Sequence, residues 1–153
     1  MVILQSIGLF LAGILAGVEF IVRYGVQPAL SRLDDVPHIR ARQAIIGRLR
    51  IVVPLVMIPT VVVTIAVLVV ALVTGQGDRG LPLVIAGLAA LVVVLLASFL
   101  GTVPINIKVY DWDAAAPPAD WKSVIRSWER IDVLRSSAAM VAFALLVGAL
   151  ALH

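Results

Sequence analysis

The chain contains no cysteine. Disulfide frameworks, thiol redox chemistry and thiolate metal sites are therefore excluded. Histidine is almost as scarce. His38 and the terminal His153 are the only two, and neither falls inside an apolar run. A transmembrane haem held by histidines on facing helices has no ligands here, and no cofactor is expected. Charge is sparse as well. Asp, Glu, Lys and Arg make up 14% of residues, against ~25% in an ordinary soluble domain.

Hydrocarbon takes their place. Hydrophobic residues account for 62% of the chain, and the mean hydropathy is +1.12. A water-soluble fold of 153 residues cannot bury so much apolar surface, so lipid must be the solvent for much of it. Four apolar runs, at about 2–22, 51–73, 81–103 and 133–152, each approach the ~20 residues that carry a helix across ~30 Å of hydrocarbon. Backbone groups in lipid must be satisfied within their own segment, which requires helices. The alternation of a membrane β-barrel is missing. The expected fold is an all-α integral membrane four-helix bundle of up-down topology, one membrane domain covering 1–153. The first run lacks a basic stretch before it and a small-x-small cleavage site after it, so it is read as a retained helix.

The net charge of +3 and isoelectric point near 10.0 reflect topology and lipid headgroups, and no nucleic-acid partner is expected. Six arginines (Arg23, Arg32, Arg40, Arg42, Arg48, Arg50) fall in the first connection. Lys108, Lys122, Arg126 and Arg130 fall in the third, and Arg79 alone in the second. The positive-inside rule places the first and third loops in the cytoplasm and both termini outside, in a multi-pass plasma-membrane protein. Ten of the twelve basic residues are arginine, a bias of GC-rich bacterial genomes. Residues 74–80 (Thr-Gly-Gln-Gly-Asp-Arg-Gly) form a short turn that makes spans two and three a hairpin.

Pro54 is expected in a first helical turn. Pro59 should kink its helix, with Thr60 or Thr64 satisfying a freed carbonyl. Small residues recur at spacing four (Gly13 with Gly17, Ala12 with Ala16, Ala97 with Gly101, Ala144 with Gly148), for packing within one bundle or between subunits of a homo-oligomer.

Polar groups in a membrane each need a reason. Glu19 lies near the end of the first span. It either pairs locally with Arg23, four residues on, or faces the bundle interior as a proton acceptor or substrate anchor. Pro104 should disturb the third helix, leaving the amide of Asn106 beside the broken end. After Asp120, a plausible N-cap, Trp121, Val124, Ile125, Trp128 and Ile131 form one helical stripe. Continued, that stripe meets Asp132 and Arg135, so an amphipathic helix leads two charges into the fourth span. Glu19, Asn106, Trp128, Asp132 and Arg135 should then share one depth and suggest a pocket. Trp112, Trp121 and Trp128 also suit an aromatic belt.

Gly17-Val-Glu19, Gln27-Pro-Ala-Leu30, Val103-Pro-Ile-Asn106, Trp112, and Trp121 followed by Trp128 and Arg135 together resemble the anthrone oxygenase-like family of small four-helix membrane proteins, much of it a domain of unknown function. The resemblance covers most of the chain. It implies oxygenation of a hydrophobic aromatic substrate, as some members are linked to conversion of anthrones to anthraquinones without an evident metal or flavin. It implies Asn106, Trp128 and Arg135 as pocket residues, with Glu19 beside them. On chemical grounds Glu19 or Asp132 could take the proton from an anthrone, with Arg135 stabilising the enolate, and Trp112 joins the candidate substrate-binding residues. Where many members carry Asn and His before the arginine, this chain reads Asp132-Val133, so a histidine base is missing. Whether the chain is an enzyme stays open. A non-enzymatic membrane subunit or scaffold, with every charge paired and no cavity, fits the same residues. So does a proton-coupled exporter that uses Glu19.

Overall fold

In a computed structural model, residues 2–75 and 79–152 are described. Met1, residues 76–78 of the short turn and His153 lie outside them. Among the described residues there are four long helices: α1 (Val2–Leu30), α2 (Asp35–Thr74), α3 (Leu81–Tyr110) and α4 (Trp121–Ala151). No strand occurs among the described residues. Each helix packs against its sequence neighbours, and α1 closes the ring onto α4. This is the up-down four-helix bundle that the apolar runs predict.

All four helices are longer than the apolar runs. At 1.5 Å per residue, the 40 residues of α2 extend about 60 Å, roughly twice the hydrocarbon thickness. Most of the sequence assigned to the first and third loops is therefore helix. Residues 35–50 continue α2 beyond its apolar run, and residues 121–132 continue α4 as one unbroken helix. Both long connections lie at this end, where Ile39, Ile46, Val109, Ala114, Trp121 and Ile125 form a core of their own. A second core, of Leu15, Met57, Val61, Leu91, Val94, Ala139 and Ala142, lies at mid-bundle.

The prolines sit differently from expectation. Because α2 begins at Asp35, Pro54 is in its interior and not in a first turn. Thr60 and Thr64 donate to the carbonyls of Val56 and Thr60, at 2.7 Å each. Pro59 frees the neighbouring Leu55 carbonyl instead, so the threonines do not mend the break. Asp120 occupies the cap position of α4, but its side chain makes no capping bond. Gly75 ends α2 in the left-handed conformation (φ 65°), which glycine adopts without a Cβ penalty.

Two helices carry a widened π turn on the side that precedes a proline. Val22–Val26 leads into Pro28, and Ala97–Thr102 leads into Pro104. Proline offers no N–H to the carbonyl four residues back. The ladder slips by one residue, so that Gln27 N–H reaches Val22 O and Val103 N–H reaches Ser98 O. The slip re-aims the side chains beyond it. In α3, Ser98 and Thr102 of this turn both face inward, at 4% and 1% exposure.

Of the small-residue pairs, Gly13 faces Phe143 and Gly148 faces Leu83, while Gly101 lies against Ile131. These serve packing within the bundle. Gly17 faces no neighbour within 4 Å.

Candidate functional site

The buried residues of α1 are Gly8, Ala12, Leu15, Ala16 and Glu19, a stripe at helical spacing. Glu19 is thus carried inward by the same periodicity that buries its apolar neighbours, and it is fully buried. On α4 the stripe through Trp121, Ile125 and Trp128 continues to Asp132 and Arg135, all buried. The two stripes meet at Arg135. Its Nη2 lies 2.9 Å from Asp132 Oδ1 and 3.0 Å from Glu19 Oε2, and Nη1 lies 3.4 Å from the Thr102 hydroxyl. The contact with Asp132 is a well-directed hydrogen bond. The contact with Glu19 is a close charge approach off the N–H direction, so neither Glu19 oxygen accepts a hydrogen bond.

Glu19 therefore does not pair with Arg23. Arg23 stretches along the surface to α4, donating to Ser137 Oγ at 2.8 Å and Ser136 Oγ at 3.2 Å. Sequence proximity loses because Glu19 points into the bundle, whereas the long Arg23 side chain follows the outside.

Beside this cluster lies a cavity of about 570 Å³, within the ~300–1,000 Å³ of small-molecule sites. All four helices contribute. Much of its wall is apolar, with Val22, Val53, Pro54 and Met57. Asn106, Trp128 and Arg135 line it together, and Trp128 Nε1 donates to Asn106 Oδ1 at 2.8 Å. That bond fixes the amide orientation and leaves Asn106 Nδ2 as a donor. Phe99, Val103 and Ile107 line the cavity while remaining 50%, 38% and 62% exposed. The cavity therefore opens sideways, between α2 and α3, through an apolar rim.

Three other predicted site residues are placed elsewhere. Glu19 and Asp132 stand behind Arg135 and do not line the cavity. Trp112 packs on the core outside the membrane span, and its carbonyl accepts from Gln43 Nε2 at 2.8 Å.

The structure adds lining residues that the sequence reading did not single out: Arg42, Arg50, Ser98, Thr102 and Asp111. Arg42 is 3% exposed. It donates through Nη2 to Gln27 Oε1 at 2.7 Å and lies over the Trp128 ring at 5.0 Å. Arg135 reaches the same ring at 5.9 Å. A signal was present in the sequence, since Arg42 shares a stripe with Ile39, Ile46, Val53 and Met57. Among the described residues no group of three or more His, Asp or Glu side chains is placed to hold a metal ion.

These features define a class: a small four-helix membrane protein whose bundle encloses a laterally open apolar chamber with cationic and amide donors on its wall. A family model described as anthrone oxygenase matches residues 51–145, more than half of the chain, and the chain belongs to that family. The matched span contains Asn106, Trp128, Asp132 and Arg135, and it leaves out Glu19, Gln27 and Arg42. No curated protein and no solved structure matches the chain.

Proposed function

We propose that this protein is a cofactor-independent oxygenase that converts an anthrone-like polycyclic ketone to the corresponding quinone, in a pocket at the cytoplasmic side of the plasma membrane. The observation that carries the reading is the shared cavity of Asn106, Trp128 and Arg135. A scaffold that only locks helices together has no need of such a chamber. An exporter working through Glu19 would need that carboxylate in the chamber, and it lies behind Arg135. The cationic first and third connections support the cytoplasmic assignment.

In this reading the flat rings lie against Trp128 and the apolar walls. The ketone oxygen accepts from Arg135 and Asn106 Nδ2. An anthrone carries an acidic methylene across the central ring from its ketone. Removing one methylene proton gives an enolate whose charge those two donors stabilise more than the ketone. With the ketone anchored at Arg135, the methylene points away from it, towards the C-terminal end of α3. There Asp111, the one carboxylate among the lining residues, is the acceptor for the proton. Glu19 and Asp132 act as positioning residues that hold the guanidinium in place.

The enolate carbon then bonds to dioxygen, giving a peroxide that takes up a proton. Loss of the second C–H proton with cleavage of the O–O bond yields the quinone carbonyl and water. The methylene supplies all four electrons, so no external reductant is needed. One oxygen atom enters the product and the other leaves as water.

Membranes containing the protein should accelerate oxygen uptake with an anthrone over empty membranes. With isotopically labelled dioxygen, each quinone should gain one labelled atom. No acceleration with any of several anthrones would refute the reading.

A further inference from the structure

Arg42 and Arg135 are buried to a similar depth, at 3% and 6% exposure, yet their surroundings differ. Arg135 has two carboxylates at 2.9 and 3.0 Å. The carboxylate nearest Arg42 is Glu129, at 3.9 Å on a side chain that is 40% exposed. The neutral groups Gln27 Oε1 and His38 Nε2 occupy Arg42 Nη2 and Nε, at 2.7 and 3.4 Å. Nη1 has no partner among the described residues, although the side chain lines the cavity. A buried guanidinium without a close counter-charge is costly. A loose contact to a half-exposed glutamate offsets little of that cost. The site is built to receive an anion.

Its position says which kind. Arg42 and Arg135 approach the same Trp128 ring, at 5.0 and 5.9 Å. A flat molecule held against that ring therefore has a cation available at two places on its edge. Arg135 serves the ketone in the oxygenase reading, and Arg42 is left over. The chamber below is apolar, so the anion must be attached to a hydrophobic body.

We propose that the substrate carries an ionised acid group, a carboxylate on its polycyclic body, and that Arg42 binds it through Nη1. The proposal rests on the oxygenase reading and narrows its substrate class from polycyclic ketones to polycyclic keto acids. A charge-assisted bond in place of a neutral one gives a preference of at least about tenfold. Arg42 is then a specificity residue, selecting which anthrone enters and fixing its orientation.

The test uses the full-length protein in lipid nanodiscs with two probes, anthracene-2-carboxylate and anthracene-2-carboxamide. Binding is followed by energy transfer from tryptophan. The carboxylate should bind at least about tenfold more tightly than the amide, and Arg42→Gln should remove that difference by weakening the carboxylate far more than the amide. Equal affinities in the wild type overturn the proposal. So does an Arg42→Gln variant that weakens both probes alike, the mark of an arginine that only ties helices together. Should Arg42→Gln fail to fold, Arg42→Lys and the wild-type pair decide: a preference kept by the lysine supports an anion site, and equal affinities refute it. Oleate offers the same headgroup on a flexible chain. Weak competition by oleate supports an aromatic acid, and displacement at equal or lower concentration assigns the site to a fatty acid and overturns the proposal. Binding of the amide without a charge preference sinks only the keto-acid assignment. Binding of neither probe sinks the aromatic-substrate reading with it.

Discussion

Replacing Arg135 by methionine keeps a long apolar stem and removes the charge. It leaves Glu19 and Asp132, at 0% and 1% exposure, without the cation that lay within 3.0 Å of each. Breaking a buried ion pair from one side costs roughly 3–5 kcal/mol, or about two to four powers of ten in the folded-to-unfolded ratio. The cost lies in the stranded carboxylates and not in the lost contact. Removing all three charges together, as Glu19→Leu, Asp132→Leu and Arg135→Met, should therefore restore stability to within about 1 kcal/mol of wild type. Oxygen uptake should fall sharply in both variants, because the enolate loses its cationic donor and keeps only the Asn106 amide. Reversible unfolding in mixed micelles, followed by tryptophan fluorescence, measures the stabilities. The reasoning fails if Arg135→Met alone lies within about 1 kcal/mol of wild type, or if the triple variant is as unstable as the single.

Other consequences are as specific. Asn106→Leu removes the amide donor and should lower kcat about 10²-fold with little change in KM; an unchanged kcat would remove Asn106 from the mechanism. Trp128→Phe keeps a flat ring but loses the 2.8 Å bond to Asn106, so it should cost about 1 kcal/mol in the same unfolding assay. Gly101→Ala places a Cβ 2.8 Å from Ile131 Cγ2 and should destabilise by roughly 1–3 kcal/mol. Gly17→Ala meets nothing within 4 Å and should be neutral or stabilising, as alanine favours a helix. Since the chain has no cysteine, Arg40→Cys and Arg79→Cys report topology without a background. A membrane-impermeant maleimide should label position 79 in intact cells and position 40 only after permeabilisation, and the reverse pattern would invert the assigned orientation.

Much of the bundle is legible in the sequence, because lipid imposes a length and a composition on every span. The α4 stripe is legible too, and it leads to Asp132 and Arg135 by periodicity alone. What periodicity cannot supply is where a helix continues once it leaves the hydrocarbon. Residues 35–50 carry five charges amid apolar residues and read as loop, yet they extend α2 and bring Arg42 to the chamber. Glu19 shows a second limit. Local spacing offers Arg23 as its partner, but the pairing with Arg135 depends on how α1 and α4 face each other. Trp112 shows a third. Sequence places it near Asn106, but α3 ends at Tyr110 and the chain turns away from the cavity before Trp112 can reach it.

The sideways opening between α2 and α3 has a kinetic consequence. A ligand entering through Phe99, Val103 and Ile107 comes from the membrane phase, so the concentration that governs turnover is moles per volume of lipid. Adding inert lipid at fixed protein and fixed total substrate should then slow the reaction, although nothing in the aqueous phase has changed. An apparent KM quoted per litre of buffer would describe the amount of membrane in the tube as much as the protein.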